Sequence, residues 1–116
     1  MGVPLNHNIL KTIEESNSLN PNLFSLTRIL IMLNLTDLGE DGSTYRELKA
    51  VLQLNDGVLH SNLKALESMG YVKSNDVKIE EKNLKSYNIT EDGKYAWENA
   101  RKWLKKVLDC GGMVDE

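Results

Sequence analysis

Residues 43–71 read STYRELKAVLQLNDGVLHSNLKALESMGY, and the punctuation of this stretch decides the fold. Ser43, followed within one turn by Glu47, has the chemistry of a helix start: a hydroxyl to cap free amides and a carboxylate at the positive end of the helix dipole. Leu48, Val51 and Leu52 supply the apolar stripe of that helix. Gln53 and Leu54 form a turn. Asn55 is the natural cap of a second helix, with Asp56 in its first turn. Leu59, Leu63 and Leu66 recur at i, i+4 and i+7 and point inward, with Met69 one turn later. Gly70 fits the left-handed position that closes many helices.

Outward from this pair of helices, the pattern changes period. Tyr71, Val72, Val77 and Ile79 predict a strand, and Leu84, Tyr87 and Ile89 its partner, with Glu80–Asn83 as the tip. Thr90 caps a last helix running to about Leu108, with Ala96, Trp97, Ala100, Trp103, Leu104, Val107 and Leu108 on its apolar side. On the other flank, Leu5, Ile9, Leu10 and Ile13 predict a short amphipathic helix over residues 5–16. Leu23, Leu26, Leu30 and Leu33, with Phe24, Ile29, Ile31 and Met32, predict a helix apolar nearly all round and buried on most sides. Thr36–Gly42 is acidic and glycine-containing, and is expected to be a loop.

The expected class is therefore mainly α with a β-hairpin wing: a winged helix-turn-helix. An extension helix lies in residues 1–18, the winged helix in 19–90, a long dimerisation helix in 91–110 and a tail in 111–116. Helix, turn, helix and wing form a shape that reads a DNA groove. In such a unit the outward residues near the start of the second helix meet base edges, here Gly57, Val58, His60, Ser61, Asn62 and Lys64. The wing offers Lys78, Lys82 and Lys85 to phosphates or the minor groove; a charge-balanced, solvated hairpin is the equal alternative. Two tryptophans on one long helix exceed the needs of a small monomeric core, so Trp97, Ala100, Trp103, Leu104 and Val107 are expected to face a second copy of the chain; the alternative is packing onto the helix of residues 23–33 within one chain.

Charge tempers this reading. The 116 residues carry a net charge of −3. Residues 1–43 hold two basic and five acidic side chains, whereas residues 44–89 hold seven basic and six acidic. The reading segment is the least acidic part without being a basic patch, so binding should be modest per subunit and sensitive to salt. The alternative is a winged-helix adaptor that binds protein, suggested by the acidic balance and by Glu80 and Glu81 in the wing. A third reading adds a small-molecule effector near Trp97 and Trp103.

Other chemistries find little support. His7 and His60 have no neighbouring ligand spacing, so neither a metal nor another cofactor is expected. Gly39–Gly42 is acidic and would repel phosphate. Cys110, the only cysteine, sits at a helix C-terminus, which disfavours a thiolate nucleophile. An enzyme is not expected. No apolar run approaches the ~20 residues needed to span a bilayer, and the N-terminus lacks the pattern of a signal peptide. Cytoplasmic location is the expectation.

Three segments together resemble the ArsR/MarR-like winged-helix transcriptional regulators of bacteria and archaea. Ser25–Leu33 resembles their opening helix. Leu54–Leu59, continuing to Leu63, Leu66, Gly70, Tyr71 and Val72, is similar to their recognition helix and its exit. Tyr87–Gly93 is similar to the end of their wing and the start of the dimer helix. The resemblance covers roughly residues 19–108 and implies a homodimer that regulates transcription on double-stranded DNA. The chain departs from the pattern at Leu26, Val58 and Asn62, and in a wing that lacks the usual arginines.

Overall fold

The computed structural model describes residues 7–110. Helix α1 spans His7–Glu15. Two 3₁₀ turns, Ser16–Ser18 and Pro21–Leu23, lead into α2, Leu26–Leu38. A third, Gly39–Asp41, precedes strand β1, Ser43–Thr44. Helices α3, Tyr45–Leu52, and α4, Asp56–Ser68, follow. Strands β2, Val72–Ile79, and β3, Lys82–Ile89, form the hairpin, and α5 spans Glu91–Asp109. The three strands form one antiparallel sheet in the order β1-β3-β2.

The core lies where α2, α3 and α4 meet the base of the hairpin and the first half of α5. Ile31, Met32 and Leu35 come from α2, Leu48 from α3, and Leu59, Leu63 and Leu66 from α4. Val72, Tyr87 and Ile89 close it from the sheet, and Trp97 and Ala100 from α5. Burying each large aliphatic side chain contributes about 1.5–3 kcal/mol before entropy is counted.

Two junctions set the geometry. Gly70 has φ +79° and closes α4 in the left-handed conformation that a side chain disfavours. Just after β3, the Thr90 amide donates to the Tyr71 carbonyl (2.9 Å) and the Thr90 hydroxyl to that of Gly70 (2.6 Å). The same hydroxyl accepts from the Gly93 amide (2.9 Å), capping α5. Gly93 is buried against this junction: a Cβ there would collide with the Tyr71 carbonyl and press on Ile89. The exit of α4 and the start of α5 are thus joined through one threonine and one glycine.

Several expectations are corrected. Thr44, not Ser43, caps α3: its hydroxyl accepts from the Glu47 amide (3.1 Å) while Glu47 Oε1 accepts from the Thr44 amide (3.0 Å). Ser43 instead lies in β1 opposite Tyr87. Residues 36–42 are not an open loop, because α2 runs to Leu38 and a 3₁₀ turn follows. The wing tip is only Glu80–Glu81, and Lys82 and Asn83 already belong to β3.

Helix α2 is buried along one side, not on most sides as its all-round apolar pattern suggests. Leu26 (75% exposed), Leu30 and Leu33 (52%) face solvent, while Ile31, Met32 and Leu35 are buried. Leu23 is buried too, but in the preceding 3₁₀ turn. A helix apolar all round carries no phase from which its buried face can be read. On α3, likewise, Leu48 is buried but Val51 is exposed. The glycine stop at 111–112 and the tail 111–116 lie outside the described residues.

Candidate nucleic-acid interface

The turn between α3 and α4 is held by side chains at its two ends. Gln53 closes α3 with φ +54°, and Asn55 Oδ1 accepts from the Val58 amide (2.9 Å) to open α4. The Tyr45 hydroxyl lies 3.1 Å from the Asp56 carbonyl oxygen and 3.2 Å from its Oδ1. Lys49 Nζ approaches the same carboxylate at 3.0 Å. The Lys49 ammonium, first through its hydrogen bond and then its charge, holds the Asp56 carboxyl below its ordinary range, and the Tyr45 hydrogen bond adds to this. Desolvation, with Asp56 second, raises the Tyr45 phenol. The clasp fixes the start of α4 and neutralises Lys49.

Beyond this clasp α4 turns one side to solvent. Gly57, Ser61 and Lys64, at i, i+4 and i+7, are exposed together, with Val58 and His60 on either flank. Gly57 has no left-handed backbone, and a Cβ there would meet only Asn55 Oδ1 at an ordinary 3.6 Å. Nothing in the chain's own packing therefore demands glycine at this place.

Asn62 differs from its neighbours. It is half-buried, its Oδ1 accepts from Arg28 Nε (2.9 Å), and its Nδ2 donates to the Val58 carbonyl (2.8 Å). An arginine only donates and a carbonyl only accepts, so the two partners fix which way the amide points. Arg28, on α2, carries no signal in the sequence that marks it as part of the site. It lies 34 residues away, and no local motif announces the pairing.

The wing lysines do not share a face. The register pairs Asp76 with Lys85 and Lys78 with Asn83, two positions apart, which sets Lys78 and Lys85 on one face. Lys82, opposite Ile79, is on the other. Lys85 lies 3.9 Å from Asp76 in an exposed pair that contributes little to stability. At the tip Glu80 (φ +50°) and Glu81 (φ +65°) both adopt the left-handed conformation of a two-residue hairpin turn, which Asn-Gly suits far better.

The model of the winged helix DNA-binding domain family matches residues 27–108, most of the chain. The chain belongs to this family. No curated protein sequence matches it. Among solved structures, a transcriptional regulator homologue from Pyrococcus horikoshii is similar at 26% identity and TM-score 0.74, covering 85% of this chain and 95% of that one. The MepR–DNA complex of S. aureus shares the fold at 14% identity and TM-score 0.67, with 87% and 79% covered. Wild-type MarR of E. coli in its apo form does so at 18% and 0.63, with 94% and 84% covered.

In this winged-helix chain the expected second-copy surface is divided. Trp97 (6% exposed) and Ala100 are buried in the chain's own core. Trp103 is half-buried, with its ring edge-on to Phe24 at 5.7 Å and its indole N–H donating to the Thr12 carbonyl (2.9 Å). Lys106 pairs with Glu15 at 2.8 Å, completing the seat of α1 on α5. Leu104 is half-buried, while Val107 and Leu108 (79%) are exposed, as are Leu10 and Ile13 on α1. Among the described residues no helix is long and apolar enough to cross a membrane.

Proposed function

We propose that this chain is a MarR-type transcriptional regulator that binds double-stranded DNA as a homodimer in the cytoplasm. The α4 helix enters the major groove and the β2–β3 wing lies on the backbone or in the minor groove. The observation that carries the reading is the exposed run at Gly57, Val58, Ser61 and Lys64. A glycine inside a helix costs up to about 1 kcal/mol against alanine, less in the first turn where Gly57 stands, and nothing in the chain fills the space beside it. Close approach to another molecule's surface accounts for it. Val58 suits a thymine methyl, His60 and Ser61 a base edge or phosphate, and Lys64 a phosphate or guanine.

The second copy is supported by shape. The molecule measures 67 × 28 × 23 Å. Where α1 lies on α5, the chain exposes Leu10, Ile13, Val107 and Leu108. Pairing these through a two-fold axis would cover them and set two α4 helices on one face of a duplex, about 34 Å apart in a one-turn arrangement. Sedimentation of the wild type and of Val107→Glu/Leu108→Glu tests this: a wild-type dimer and a monomeric variant are expected, and a wild-type monomer contradicts it.

DNA binding is tested by fluorescence anisotropy with genomic duplex fragments at low and high salt. Binding that weakens steeply with salt is expected. No binding at low salt removes the reading and favours the adaptor, for which the exposed Leu26, Leu30 and Leu33 on α2 offer a surface.

A further inference from the structure

Most positions where this chain carries a cation near the interface either lie beside a carboxylate or are loose. Lys49 is paired with Asp56 and Lys85 with Asp76. Lys64, Lys78 and Lys82 are long exposed side chains, whose ordering on binding costs rotamer entropy. Arg28 is neither. Its Nε donates to Asn62 Oδ1 (2.9 Å), and its Nη1 to the Asn22 carbonyl (2.6 Å). Among the described residues no carboxylate pairs with it. Both partners are neutral, so the guanidinium keeps its whole charge. Two hydrogen bonds from different nitrogens also fix its plane.

A guanidinium has five N–H donors. The two bonds leave three: the second hydrogen on Nη1 and both on Nη2. The group sits against the flank of α4, within one side chain of exposed Val58, because Asn62 Nδ2 bonds the Val58 carbonyl (2.8 Å). A half-buried cation held rigid and left unneutralised beside the recognition helix is matched to an anion supplied from outside. Planar, forked recognition of a phosphate diester is what arginine does best. Its ordering cost is already met by the fold, unlike that of the wing lysines.

We propose that Arg28 is a DNA-phosphate contact, oriented in advance by Asn62, and that Asn62 serves as this anchor rather than as a free base reader. The proposal rests on the DNA-binding reading above.

The test is the salt dependence of duplex binding by the full chain, read by anisotropy for wild type, Arg28→Gln and Arg28→Lys. Arg28→Gln should weaken all duplexes alike, by about tenfold, and lower the slope of log affinity against log salt by about one. Arg28→Lys should retain the slope while losing affinity, because a lysine keeps the charge without the two-point anchoring. A slope unchanged in Arg28→Gln while the wild type binds overturns the Arg28 assignment and leaves DNA binding intact. A wild type that binds no duplex at low salt overturns both. Should the glutamine variant fail to fold, the Arg28 Nε–H resonance of the wild type decides: a shift on adding duplex is expected, and a resonance unmoved at saturation refutes the contact.

Discussion

Gly93→Ala separates packing from propensity. In an exposed helix this change stabilises, by about 1 kcal/mol, because alanine has less freedom to lose. Here the added methyl meets the Tyr71 carbonyl and comes within 2.8 Å of Ile89 Cγ1. Forcing a methyl into filled space costs roughly 1–3 kcal/mol. Displacing Tyr71 also weakens the Thr90 N–H bond to its carbonyl, about 1 kcal/mol more. Subtracting the propensity gain leaves a net loss of about 1–3 kcal/mol, and at ~4 °C per kcal/mol for a domain of this size the melting temperature falls by about 4–12 °C. Gly57→Ala is the internal control: with a single ordinary contact to meet, the same substitution should gain up to about 1 kcal/mol and weaken duplex binding. Thermal and urea denaturation followed by circular dichroism at one fixed protein concentration measure the stability of both variants, the concentration being held because dimerisation shifts apparent stability. A Gly93→Ala protein as stable as the wild type refutes the close α4–α5 junction.

Three further outcomes follow from the site. The Thr44 amide and hydroxyl bonds hold the Glu47 carboxyl below its ordinary value of 4.5, so its contribution is fully present above that value and is lost as pH falls through the lowered one. Glu47→Gln should therefore differ most from wild type near neutral pH and converge with it in acid, measured by denaturation at both ends. Asp56→Asn releases Lys49 and should steepen the salt slope by about one while raising low-salt affinity; an unchanged slope means Lys49 is out of reach of DNA. Glu80→Asn/Glu81→Gly relieves two left-handed glutamates and should stabilise the hairpin by about 1 kcal/mol, seen as a raised melting temperature, and should increase duplex affinity by removing two anions from the tip.

What the sequence made legible was local. Asn55 and Thr90 announce their helices because a cap is a bond between neighbours, and Leu59, Leu63 and Leu66 are buried as their spacing requires. What stayed hidden depends on partners far along the chain. Two residues of β1 carry no periodicity, and only pairing with Tyr87 and Ser86 makes them a strand. The buried side of α2 is chosen by β3, α3, α4 and α5, not by its own pattern. Trp97 packs inside its own chain, and the pattern of one helix cannot decide between that and a second copy. Arg28 and Asn62 each read as an ordinary polar residue until the fold joins them.

Selection of bound sequences from a pool of random duplexes bears most directly on the central claim that α4 reads DNA in a two-fold pair. The account predicts enrichment of a pseudo-palindrome whose half-sites are centred one helical turn, about 10 base pairs, or a whole multiple of it apart. A pool that emerges without enrichment, from a wild-type protein folded and at low salt, contradicts it.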